Sequence, residues 1–282
     1  GGIQALASWT RDGGSGPDDI FVAITTEGEV ILYSGNDPGT AAEWNLVGAS
    51  FNIGKPIGRR CVETVGSDLI VTTQDGAIQL ASMLPIDRVG AAAKALSDNI
   101  HNVFLASARS YGAIFGWQSI HYPQGSYALF NVPISATTSY QYVANTMTGA
   151  WCRFTGQNAA CWGIYNGDLY FGSTSGGTVF KADTGTSDNG ANIEFTIKPA
   201  FTYFGKRGVN KLFTLCRPHF TSNGAPAFAI DLNIDFSAVT PTSIPTATVL
   251  NAALWDVSLW DNANWANDIN IADWLMVYGL GD

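Results

Sequence analysis

Glycoside hydrolysis needs two carboxylates held across a substrate, and the sequence offers the pairs Glu27/Glu29, Asp18/Asp19, Asp231/Asp235 and Asp256/Asp261. Most fall at turns or strand edges, where Asp is favoured for its hydrogen bonds to nearby backbone. The four cysteines are Cys61, Cys152, Cys161 and Cys216, and the closest two are nine positions apart. Small zinc modules use tighter spacing with histidine nearby, whereas His101, His121 and His219 lie far apart in the chain. Each of Trp151-Cys152, Cys161-Trp162 and Leu215-Cys216 sets a thiol beside a large apolar side chain, the setting of a core cysteine. A hairpin disulfide between Cys152 and Cys161 is the alternative. The run Gly172-Ser173-Thr174-Ser175-Gly176-Gly177 has the composition of a phosphate cradle, but no lysine or helix pattern follows it, so it reads as a hairpin turn. The doublets Arg59-Arg60 and Lys206-Arg207 read as solvated loop charges. No nucleophile elbow, zinc-protease helix, Walker loop or dinucleotide fingerprint sits at a strand–helix junction. The Ser-x-Asp-x-Gly-x-Thr-Trp turn box of sialidase propellers is absent. The expectation is a protein that is not an enzyme and carries no cofactor or metal.

Aromatic residues carry the stronger functional signal. Trp255, Trp260, Trp265 and Trp274 fall within the last 28 residues at spacings of five, five and nine. Tryptophan supplies a large contact area at low entropy cost, so these four are candidates for contact with a partner or ligand. The structural reading is that each anchors a short strand in a core.

Composition bounds the remaining classes. The chain has 282 residues, of which 46% are apolar and 13% charged. Soluble domains average about 25% charged residues. Lys and Arg number 14 against 23 Asp and Glu, a net charge of −9. Such a balance argues against gripping nucleic acid through its phosphates, and no apolar run reaches the ~18 residues of a membrane-spanning helix. Gly1-Gly2-Ile3 and Gly281-Asp282 both look like cut ends, so the chain is expected to be a fragment of a longer polypeptide.

The elements that must position these residues are short strands punctuated by glycine turns. Ile20–Ile24 runs through Thr26-Glu27-Gly28 to Val30–Tyr33, Leu69–Thr72 through Gln74-Asp75-Gly76 to Ile78–Leu80, and Leu169–Gly172 through Ser175-Gly176-Gly177 to Val179-Phe180. Each hairpin opens on an acid (Asp19, Asp68, Asp168), and a turn glycine follows eight or nine positions later (Gly28, Gly76, Gly177). A looser copy reads Ser126–Phe130, Tyr140–Val143 and Trp151–Phe154, and Glu43–Val47 closes the first unit with a tryptophan strand. Repetition in units of roughly 40–50 residues with several short strands each predicts an all-β fold, a β-propeller of about five to seven blades. Packed β-sandwiches are the alternative. Ala-rich Ile86–Ile100 is the one helix candidate, read as an insertion near 86–100. Further strands are expected at Phe201–Phe204, Lys211–Leu215 and Ile230–Phe236. The organisation is thus a propeller over residues 1–237, then a Thr/Pro linker and Trp-rich strands over 238–282 that complete the domain.

Several segments together resemble tail hub or DNA-stabilisation proteins of short-tailed bacteriophages that contain a β-propeller. Asp75–Leu80 followed by Ala95-Leu96-Ser97-Asp98-Asn99-Ile100 looks like that family's hairpin leading into a Leu-Ser-Asp-x-Ile helix end. Tyr142–Phe154 carries an Asn-Thr-x-Thr-Gly turn before a tryptophan strand, and Gly167–Gly172 with Gly177-Thr178-Val179 looks like the blade after it. Leu254-Trp255-Asp256, Leu259-Trp260-Asp261 and Trp265 are similar to Trp-Asp repeats near such proteins' C-termini. The resemblance covers roughly residues 60–275. It implies a virion protein that assembles as a homo-oligomeric ring on the tail axis beside portal and adaptor proteins. The ring would form part of the conduit for genome retention and ejection, with DNA passing without specific binding. The other functional reading is a propeller that attaches to a host-surface receptor or glycan through exposed Trp and Tyr.

Overall fold

In the computed structural model, the residues described are 1–12, 17–83, 95–185, 187–191, 193–214 and 229–239. They fall into two compact units, Gly1–Asn192 and Ile193–Asp282. The first is all-β, built from four antiparallel sheets in which strands follow chain order.

The first sheet holds β1 (Ile3–Asp12), β2 (Pro17–Thr25), β3 (Glu29–Gly35) and β4 (Trp44–Leu46), with β5 (Phe51–Asn52) also paired to β3. The second holds β6 (Val62–Val65), β7 (Asp68–Thr73) and β8 (Gly76–Gln79). The third holds β9 (Gln118–Tyr122), β10 (Tyr127–Pro133), β11 (Ser139–Asn145) and β12 (Trp151–Phe154). The fourth holds β13 (Ala159–Tyr165), β14 (Asp168–Ser173) and β15 (Val179–Lys181). All three acid-led hairpins of the sequence form at their expected positions. Their turn glycines take φ values of +85° (Gly28), +136° (Gly76) and +62° (Gly177), conformations that residues with a Cβ avoid. The opening acids fasten strand ends. Asp19 accepts a hydrogen bond from the Thr10 hydroxyl (2.7 Å), Asp68 from the Leu69 and Ala81 N–H groups (2.8 and 3.0 Å), and Asp168 pairs with Lys181 (2.6 Å). The β11–β12 turn is built by Asn145, whose side-chain oxygen accepts from the Met147 and Thr148 N–H groups at 2.9 Å.

Side-chain alternation stacks the sheets in chain order. From the second sheet, Leu69, Val71 and Ile78 join Trp9, Ile20, Val22, Ile24, Val30 and Leu32 of the first in one core. The opposite face of that second sheet, Ile70 and Ala77, joins Ala128, Phe130, Val132, Tyr142 and Ala144 of the third. The third sheet's other face, Ile120, Tyr122, Leu129 and Val143, meets Ala159, Trp162, Leu169 and Ala182. The second and third sheets therefore bury both faces. The outer face of the fourth leaves Tyr165 77% and Val179 67% exposed.

Residues 84–94 lie outside the described residues, so the insertion near 86–100 is described only at its end, where Asp98–Ile100 is a single 3-10 turn. The longest helix among the described residues follows it: α1 is the one-turn Leu80–Met83 and α2 is His101–Tyr111. Low-propensity His101, Asn102 and Val103 at its start hide α2 in the sequence. Packing supplies the stability instead. Phe104 and Ala108, one turn apart, are buried between the second and third sheets, and Phe104 meets Trp117, Phe130 and Tyr142 with centroids 5.9–6.2 Å apart.

In the second unit the described residues 193–214 and 229–239 form turns, bends and irregular chain, with no ladder. The strands expected at Phe201–Phe204, Lys211–Leu215 and Ile230–Phe236 are therefore not formed over the described positions. A strand needs a hydrogen-bonded neighbour, and the backbone bonds here are local, Lys206 N–H to Tyr203 O and Ser237 N–H to Ile234 O. Phe204, Asp235 and Phe236 take positive φ, which breaks the extended alternation. Apolar side chains such as Ile197 and Leu212, 80% and 81% exposed, project from this stretch.

Candidate functional site

The first strand of every sheet, β1, β6, β9 and β13, is an edge strand, and these four edges are linked at one end. Gln4 on β1 donates to the Gly58 carbonyl at 2.7 Å. Arg60, just before β6, forms a parallel bridge with Gln118 at the start of β9. The Gln118 side-chain amide then clasps β13 as a strand would: its Nε2 donates to Trp162 O at 2.9 Å and its Oε1 accepts from Trp162 N–H at 2.8 Å. Where these strand starts converge lies a depression of about 380 Å³, lined by Gln4, Gly58–Arg60, Gly112–Gln118 and Ala160.

The walls of this depression are braced from behind. Trp117 Nε1 donates to Tyr111 O (2.9 Å) at one end of the 112–117 loop, and Asn131 Nδ2 donates to Gly116 O (2.7 Å) at the other. Gly58 takes φ +75° against Trp117, where an added Cβ would lie 2.7 Å from the Trp117 Cβ, so glycine is required. Asn131 belongs to a row of amides, Gln118, Asn131 and Gln141, that are register partners across β9, β10 and β11. Asn131 also donates to Ala159 O (3.0 Å) and accepts from Gln141 Nε2 (2.9 Å) and Trp162 Nε1 (3.1 Å). Gln141 reaches Gln157 O at 2.8 Å, while its own oxygen, fully buried, has no partner.

Chemically, the rim carries two exposed guanidiniums and one exposed aromatic ring. Arg60 Nη1 donates to Gln118 Oε1 at 3.2 Å, and among the described residues no carboxylate pairs with Arg59 or Arg60. Phe115 is 74% exposed between the buried Gly116–Trp117 pair and half-buried Ile114. The doublet read as solvated charge is thus exposed, as expected, but also forms one wall of a recess that pair spacing in the sequence did not reveal.

The remaining expected residues fall elsewhere. Trp255, Trp260, Trp265 and Trp274, with Cys216, His219 and the Asp256/Asp261 pair, lie outside the described residues. Glu27 sits 3.9 Å from Lys55 at the β2–β3 turn, Asp231 accepts from Leu232 N–H, and Asp235 is a turn residue at φ +51°. His101 starts α2, whereas the His121 backbone N–H donates to half-buried Glu63 at 2.9 Å. Burial raises the Glu63 carboxyl above its ordinary value despite that bond. Cys61, Cys152 and Cys161 are free thiols, so the hairpin disulfide is not made. Among the described cysteines only Cys61 is a core thiol, its pKa pushed up to about 11 by burial; Cys152 lies exposed on β12, the edge strand of the third sheet. Among the described residues no group of three or more His, Cys, Asp or Glu side chains is poised around a metal position, and no helix there is long and apolar enough to cross a membrane.

No protein-family model matches the chain, and no curated protein matches it in sequence.

Proposed function

We propose that this chain is a β-propeller that serves as a structural component of a bacteriophage tail, assembling in a ring on the tail axis and forming part of the genome conduit. The observation that carries the propeller is the linkage of all four first strands at one depression. A propeller brings the inner strand of each blade to a common axis. The doubly buried second and third sheets support it over packed sandwiches, in which each sheet covers one face.

The tail role rests on the motif resemblance at 75–80, 95–100, 142–154 and 167–179; of these, 75–80, 142–154 and 167–179 contribute to hairpins, the second with its turn built on Asn145. Exposed Ile197 and Leu212 in the second unit and Tyr165 and Val179 on the fourth sheet suit a protein that covers apolar surface by assembly. A net charge of −9 suits a conduit wall that gives DNA phosphates no cationic hold.

The test is peptide mass spectrometry on gradient-purified phage particles from the source strain. Peptides of this chain at several copies per particle are the expected result. Their absence from clean particles removes the tail reading.

A further inference from the structure

We propose that the depression at the convergence of the four first strands binds a carboxylate-bearing sugar ring, a hexuronate, with Arg59 and Arg60 on the carboxylate and Phe115 against the ring. This goes beyond the assembly role and does not depend on it.

Three observations bring the ligand class into focus. First, Arg59 and Arg60 stand side by side in a chain where acids outnumber bases 23 to 14, yet no described carboxylate neutralises either. Guanidinium forks match the planar carboxylate geometry, and adjacent arginines repel one another unless an anion or solvent separates them. Second, Gln118 Oε1 holds the Arg60 guanidinium at 3.2 Å while the same amide is fixed at both atoms by the Trp162 backbone, so this cation is positioned rather than free to wander. Third, Phe115 stays 74% exposed on a loop whose two ends are pinned by Trp117 and Asn131. Such a ring offers a flat apolar platform whose order has already been established by its neighbours.

The volume and lining select among anions. About 380 Å³ lies within the ~300–1,000 Å³ common for small-molecule sites and exceeds what a lone inorganic ion occupies. Phosphate would use the arginines and leave Ile114, Phe115 and Ala160 without contact. An extended peptide would need a free strand edge, and the edges here are engaged, Arg60 with Gln118 and Gln118 with Trp162. A pyranose acid uses both halves of the site: its carboxylate meets the guanidiniums and the C–H face of its ring meets Phe115. The Oε1 of Gln4, whose Nε2 is committed to Gly58, is left to accept from a sugar hydroxyl.

Titration calorimetry of the 282-residue chain with glucuronate, glucose and inorganic phosphate tests this. Arg59→Gln and Phe115→Ser are the informative variants, because both side chains are exposed and their circular dichroism should match the parent. Glucuronate should saturate one site, glucose should bind at least about tenfold more weakly, and each variant should weaken glucuronate about tenfold. Added salt should weaken binding in the parent more than in Arg59→Gln. Absence of saturable glucuronate binding overturns the proposal. So does unchanged affinity in both variants, and so does phosphate binding as tightly as glucuronate with no effect of Phe115→Ser, which would mark a simple anion site.

Discussion

Single side chains in the first unit carry costs that pH can expose. Glu63 on β6 is half-buried, and desolvation raises its carboxyl pKa from the ordinary 4.5 even though His121 N–H donates to it. A raised pKa means that the folded state holds the proton more tightly than the unfolded chain. The associated stability is therefore complete below about pH 4.5 and is lost as pH rises through the folded value. Glu63→Gln keeps an acceptor for His121 and removes the charge. It should raise the melting temperature at pH 7, with the gain shrinking towards zero below pH 4.5; a gain that is the same at pH 4 and pH 7 would assign it to packing instead. Cys61 follows the same physics. Its thiol, held neutral by burial, is protected from alkylating reagents that need the thiolate.

At the scale of elements, the amide row Gln118–Asn131–Gln141 decides how the third sheet meets β13. Removing Asn131 strands the Trp162 indole N–H and the Gly116 carbonyl, and takes one partner each from the Gln141 amide, which keeps Gln157, and the Ala159 carbonyl, which keeps Ser139. Buried polar groups left unpaired cost about 1–3 kcal/mol each when no water reaches them. Asn131→Ala should therefore destabilise the chain by about 3 kcal/mol or more, read as a shift in the urea midpoint. Asn131→Leu should be no better, because the orphaned partners remain. A loss under about 1 kcal/mol would mean that the row is dispensable.

What the sequence made legible also sorts by element. The acid-led hairpins were readable because alternation and a positive-φ glycine are both local, and each strand was found within three residues of its expected ends. Helix α2 was not, since its signal is only the spacing of Ile100, Phe104, Ala108 and Tyr111 among poor helix formers, and its stability comes from two sheets distant in sequence. The depression was equally hidden. Arg59-Arg60 is visible as a doublet, but nothing local places it against Phe115, some 55 positions away. A usable clue did exist: Gln118, Asn131 and Gln141 occupy strand positions where the pattern calls for apolar residues, which marks a polar junction. The expected strands beyond residue 200 failed for a related reason, as apolar alternation alone does not supply a ladder partner.

At the largest scale, the four sheets described in the first unit stack in chain order, so that successive sheets meet through separate cores. Amide hydrogen exchange should follow that order. Strands β7 and β10, central in the doubly covered sheets, should exchange slowest, and β15, exposed along Val179–Lys181, should exchange first. Uniform protection across all four sheets would argue for a single cooperative core.

The same arrangement makes the first unit a one-dimensional chain of couplings. A cavity cut in the first core, at Leu80, and another cut in the third, at Leu169, share no neighbour, so their energetic penalties should sum. Two cuts within the second core, at Phe104 and Phe130, should not. Damage in such a stack stays between adjacent sheets, whereas the linked strand edges at the mouth bring all four sheets to a common contact zone, so a ligand seated there would tighten the entire array at once.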